Sequence, residues 1–78
     1  MPLFRYQVLD DGQLIVDETE FAGEVGEIYR RGLDYARRLI ARQAIEGEVR
    51  LSWRVVVRDE ALEEVHRIPF WLALDLGA

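Results

Sequence analysis

The 78-residue chain contains no cysteine, no lysine and no asparagine, and only one serine, one threonine and one histidine. Without cysteine, neither a disulfide nor a thiolate metal centre can staple the fold, which leaves self-association as the expected help for a small core. A zinc site needs three or four nitrogen or sulfur ligands, and each copy offers His66 alone, so no metal and no cofactor is expected. Any Ser-His-acid constellation would have to use Ser52 and His66, which alternation places on opposite sheet faces. Long apolar runs are missing too. The longest uncharged stretch, Ile68 to Leu74, falls far short of the roughly 20 residues a membrane helix requires. Met1 to Arg5 leads straight into alternating residues with no signal-peptide pattern, so the expected location is the cytoplasm.

What remains is a 9.1 kDa chain, half hydrophobic and about a third charged, with 15 acids against 10 bases and a net charge of −5. The length holds a single small domain, residues 1–78. All ten bases are arginine. The acidic balance argues against general coating of nucleic acid or anionic lipid, so the placement of the arginines matters more than their sum.

Along the chain the hydrophobic period changes twice. Leu3 to Leu9 alternates, with Phe4, Tyr6 and Val8 on one side, and predicts a half-buried strand. Asp11-Gly12 is a hairpin signal because both residues tolerate positive φ, and Gln13 to Asp17 is the return strand with Leu14 and Val16 inward. From about Phe21 to Glu46 the period is helical. Val25, Ile28, Tyr29, Leu33, Ala36, Leu39 and Ile40 form one stripe, and Glu27/Arg31 and Asp34/Arg38 are acid-first pairs four apart. Gly32 lies inside that stripe, which predicts a close approach of helix to sheet, and Gly47 ends the helix. Val49 to Arg58 alternates clearly and predicts a third strand. Glu64 to Phe70 predicts a fourth, which lies at an edge or ends at Pro69 because proline cannot donate to a ladder. The resulting order, β-β-α-β-β, is an α+β fold: a four-stranded antiparallel sheet with one long helix packed on one face. Residues 71–78 are an apolar C-terminal tail.

The wording of the chain resembles a family of short bacterial proteins of unknown function common in GC-rich soil and plant-associated genera. The matches are Met1-Pro2, Phe4 and Tyr6, Asp11-Gly12, Asp17-Glu18, Ala36-Arg37, Trp53-Arg54-Val55, Asp59-Glu60-Ala61 and Ile68-Pro69-Phe70. Two positions depart from that pattern: Leu62 stands where the turn usually has glycine, and His66 where the strand is usually aliphatic. The resemblance implies a fold and no activity. A looser likeness is to HicB-type antitoxins, which share the aromatic hairpin and the Ala/Glu-rich helix.

The side chains offer little catalytic vocabulary. The cluster Asp10, Asp11, Asp17, Glu18 and Glu20 lacks the spacing of a calcium loop and reads as turn and helix-start chemistry. No carboxylate is flanked by the apolar residues that would raise its pKa, so no catalytic residue is assigned and no enzyme is expected. Two surface features remain. Arg5, Arg50, Arg54, Arg58 and Arg67 line the outer sheet face, a candidate surface for a phosphate backbone or an acidic partner. Val56, Val65, Trp71, Leu72, Leu74 and Leu76 form a candidate protein interface, apolar and ringed by arginine. The reading is a non-catalytic interaction module acting as a homodimer. An antitoxin-like, nucleic-acid-associated regulator using the arginine face is the alternative.

Overall fold

A computed structural model of the chain describes residues 1–75. Strand β1 (Leu3–Asp10) pairs with β2 (Gln13–Asp17) and with the two-residue β3 (Phe21–Ala22). A 3-10 turn (Val25–Glu27) leads into α1 (Ile28–Glu46), followed by β4 (Trp53–Arg58), β5 (Glu64–Pro69) and the short α2 (Phe70–Asp75). The main sheet is antiparallel in the order β2-β1-β4-β5, with β3 off that path beside β1. β1 and β4 are thus the central strands, and α1 packs on one face of the sheet, chiefly over β4 and β5. No helix among the described residues is long and apolar enough to cross a membrane.

The core lies between α1 and the sheet. Val8, Val55, Val57, Ile68 and Phe70 are fully buried there, joined by Ile28, Leu33, Ala36 and Ile40 from the helix. Each such valine, isoleucine or phenylalanine contributes on the order of 1.5–3 kcal/mol by leaving water. Gly32 sets the spacing. A Cβ there would sit 2.8 Å from Ile68 Cδ1 and 3.1 Å from Val57 Cγ2, so a hydrogen is all the site accommodates. The hairpin and helix-end signals hold as well. Asp11 (φ 53°) and Gly12 (φ 86°) turn β1 into β2, and Gly47 (φ 109°) closes α1 with its N–H donated to Gln43 and Ala44 carbonyls.

Several sequence expectations are corrected. The helix does not begin at Phe21: Phe21 pairs with Phe4 across β1 and turns its ring onto Tyr6, and Val25 is left exposed. Leu14 does not point inward. Val8 faces Val16 but Leu9 faces Leu14, so Ile15 is an extra bulge residue that carries Leu14 to the outer face. β4 starts at Trp53, not Val49, because residues 51–52 form a turn. Phe70 opens α2 instead of ending β5. Within the described part of the 71–78 tail, Ala73 is buried in this chain's own core, while Trp71 and Leu74 face outward.

Leu62 adopts φ 63°, the left-handed region that disfavours a branched side chain, and its N–H is donated to the Asp59 carbonyl in the β4–β5 turn. Two stability measurements by denaturant unfolding follow. Leu62→Gly relieves a strain of about 1–2 kcal/mol, part of it offset by glycine's extra unfolded-state entropy, and is expected to stabilise by roughly 0.5–1 kcal/mol. Gly32→Ala gains about 1 kcal/mol of helix propensity but overpacks the Ile68 and Val57 contact. Its expected outcome is a net loss of about 1 kcal/mol, whereas Gly26→Ala, with open space around the added methyl, is expected to be neutral or slightly stabilising.

Candidate functional site

The sheet face turned away from α1 is covered by no helix. Period-two alternation brings Arg5, Gln7 and Leu9 of β1 to it, together with Arg54, Val56 and Arg58 of β4 and Arg67 of β5. Four of the five expected arginines therefore share this face. Three are already engaged. Arg5 pairs with Asp17 at 3.4 Å, and Arg58 donates its Nε–H to Gln7 Oε1 at 2.7 Å and a further N–H to the Leu62 carbonyl at 3.1 Å. Gln7 in turn donates to Asp17, so one polar network crosses β2, β1 and β4. Arg67 holds Glu64 at 2.8 Å. Arg54 makes no hydrogen bond or ion pair among the described residues.

Arg50 does not join them. It lies before β4, where its N–H is donated to the buried Gln43 Oε1 at 2.8 Å and its guanidinium lies 5.8 Å from the Trp53 ring centre. The early turn at 51–52 removes it from the strand's alternation. The apolar candidates divide in the same way. Val56 is on the outer face but 0% exposed, because its cross-strand neighbours Gln7 and Arg67 and the flanking arginines cover it with their stems. It cannot touch a partner. Leu72 is half-buried, and Leu76 lies outside the described residues. Val65, Leu74 and Trp71 are exposed, Trp71 by 53%, and Trp71 lines a shallow hollow with Arg54, Pro69 and Leu51 at one end of the face. Leu14 and Ile15 extend the apolar surface on the β2 side.

Ser52 and His66 lie at opposite ends of the sheet. The Ser52 hydroxyl donates to Asp10 at 3.0 Å, whereas His66 is half-buried with its ring edge-on to Tyr29, centres 5.3 Å apart. His66 borders a largely apolar hollow of about 420 Å³ that also includes Phe4 and Ile28. The two carboxylates at its rim are taken by backbone: Glu60 accepts from Leu3 N–H, and Asp59 from Ala61 and Glu63 N–H.

A second polar surface was not anticipated. Between α1 and the β1–β3 side, rings and guanidinium groups form a column. Arg31 lies 4.5 Å from the Phe21 ring centre, Phe21 is 4.5 Å from Tyr6, and Tyr6 stacks on Tyr35 at 4.6 Å and 12°. Arg38 closes the far end at 5.9 Å from Tyr35. The acid-first pairs expected on α1 give way to these contacts, since Arg31 also donates to the Ala22 carbonyl. Asp34 instead faces Arg37 at 3.9 Å. The signal that could have exposed the column was the five arginines of α1, at 30, 31, 37, 38 and 42, beside Tyr35; what could not be read was that Phe21 leaves the helix.

The family model that matches this chain is described as a domain of unknown function, DUF6894, and it covers residues 3–71. The chain belongs to the DUF6894 family. No curated protein and no solved structure was found to match it. The family match spans every element of the DUF6894 domain from β1 through β5 and the first residues of α2.

The column of the DUF6894 domain has a titration signature. Burial first, then the hydrogen bond donated to Glu18 at 3.0 Å, pushes the Tyr35 hydroxyl above its ordinary value of 10.0. Burial likewise raises Tyr6, against the pull of Arg31 and Arg38. A raised phenol pKa means that the folded state prefers the protonated ring. The stabilisation is complete below pH 10 and is lost as pH rises above it, where unfolded tyrosine ionises and folded tyrosine does not. With no lysine or cysteine present, tyrosine dominates side-chain titration near pH 10. Unfolding free energy is expected to be flat from pH 8 to about 9.5 and to fall beyond it, and Tyr35→Phe should flatten the fall. Denaturant unfolding across that range, paired with tyrosinate absorbance, measures both.

Proposed function

We propose that this DUF6894 domain is a non-catalytic interaction module that self-associates through the sheet face turned away from α1. The observation that carries the reading is the composition of that face. It is uncovered, it exposes Leu14, Ile15 and Trp71, and its arginines are interleaved with acids of the same face. Mixed charge of this kind is self-complementary. A two-fold-related copy brings the same mixed surface to Arg54, the one sheet-face arginine whose side chain has no bonded partner among the described residues, while the apolar groups leave water. The small size of the domain supports the same reading, since a core this limited gains from a second copy.

The alternative, an antitoxin-like regulator that lays nucleic acid on Arg5, Arg54, Arg58 and Arg67, draws less support. A phosphate backbone would have to displace Asp17, Gln7 and Glu64 from arginines they already hold.

Absolute mass by light scattering tests the proposal. The intact chain is expected at twice its 9.1 kDa monomer mass. Ile15→Glu and Trp71→Ser are expected to return it to monomer while keeping the far-ultraviolet dichroism of the fold, and Val25→Ser, exposed on the helix side, to leave it dimeric. A monomeric intact chain at hundreds of micromolar overturns the reading.

A further inference from the structure

We propose that the groove between α1 and the β2–β3 segment is a binding site for a phosphate monoester dianion. Charge segregation points there first. α1 carries five arginines against two acids, a net +3, in a chain whose total is −5. The helix therefore carries the largest positive charge of any element among the described residues, ahead of β4 at +2, and its field steers anions to its own side.

The groove gives that field a place to act. Two hollows, of about 320 Å³ and 620 Å³, share Tyr6, Arg31 and Arg38 and so run together along the helix. Their combined size suits a small metabolite or a single nucleotide. Arg31, Arg37, Arg38 and Arg42 line them, opposed by Asp34 and Glu18. The lining sums to +2, which matches the −1.5 to −2 charge of a phosphate monoester at neutral pH.

Arrangement adds to charge. Arg38 and Arg42 are four residues apart, one helical turn, and both border the smaller hollow with Thr19. Arg38 is held by the Tyr35 ring, so its side chain is oriented before any ligand arrives. Arg42 makes no hydrogen bond or ion pair among the described residues, and its donors are available. The Glu18 carboxylate keeps its negative charge, already counted in the lining, and is fixed in place by the Tyr35 hydroxyl at 3.0 Å. Two guanidinium groups, each a planar fork of donors suited to phosphate oxygens, thus line the same hollow as a threonine hydroxyl. Both faces of the Tyr6 ring are already covered, by Phe21 and Tyr35, so recognition rests on the phosphate and not on stacking of a base.

A terminal phosphate can come from a free metabolite or from the end of a nucleic-acid strand, and both present the same group. Nuclear magnetic resonance titration of the full chain separates them, with inorganic phosphate, AMP and a 5′-phosphorylated ten-residue oligothymidylate as probes. Saturable shifts centred on Thr19, Arg38 and Arg42 are expected for phosphate and AMP. Arg42→Gln and Arg38→Gln should each weaken AMP at least tenfold, with Arg38→Lys recovering part of the loss. Arg30→Gln, on α1 outside the groove, should leave binding within twofold. AMP and the oligonucleotide binding alike assigns a free phosphate ester; an oligonucleotide much tighter and steeply salt-dependent assigns a strand end. Shifts that do not saturate, or a loss with Arg30→Gln equal to that with Arg42→Gln, would mean diffuse charge and overturn the site.

Discussion

α1 meets the sheet at Gly32, where the side chains of Val57 and Ile68 take the space a methyl would need, and the rest of the domain is arranged around that contact. Close approach brings α1 down onto β4 and β5, so Val8, Val55, Val57 and Ile68 are sealed in one step. Glycine within a helix costs about 1 kcal/mol, and the tight seat over several fully buried aliphatic side chains more than offsets it. The same seat sets the rotation of α1. With residue 32 against the sheet, Leu33, Ala36 and Ile40 fall inward, Arg31 is left beside the Phe21 ring of β3, and Arg38 beside the Tyr35 ring of α1 itself.

That rotation gives the two faces of the molecule different electrostatic characters. On the far side of the sheet, arginines and acids alternate and largely bond to one another, leaving apolar groups such as Ile15 and Trp71 between them. On the helix side the count is the same, four arginines against two acids along the groove, but Arg31 and Arg38 are propped by rings and not by carboxylates. Mixed charge with exposed apolar surface suits a protein partner, whereas concentrated positive charge in a hollow suits an anion. The net charge of −5 describes neither surface. Reading function from such an average would miss both.

The strand pattern also shows why the sheet ends where it does. β2 bulges at Ile15, and β5 shifts register near Val65 and ends at Pro69. Each device disturbs the row of free backbone donors and acceptors at an edge, which discourages indefinite strand addition. Association by a face and not by an edge is consistent with that protection. Membership of the DUF6894 family spans these devices, and the family carries no assigned activity to set against the geometry.

Local rules determined most of the elements. Period-two alternation predicted β1 and β4, and the three- and four-residue steps predicted α1. Asp11-Gly12 and Gly47 marked a hairpin and a helix end, because each depends on a residue's own backbone freedom or its nearest neighbours. The departure at Leu62 put a tight turn in doubt; that the residue adopts the left-handed conformation is a fact of the folded chain. Tertiary structure decided the rest. Phe21 left the helical pattern because its ring gains more between Phe4, Tyr6 and Arg31 than on a helix end. Leu14 turned outward because one bulge residue reverses every side chain beyond it. Val56 vanished beneath arginine stems, and Arg50 was taken by Gln43, since both outcomes require strands and helix to be in place. Periodicity reports which side of an element a residue occupies; what covers that side is set by the other elements, and that information is spread over the whole chain.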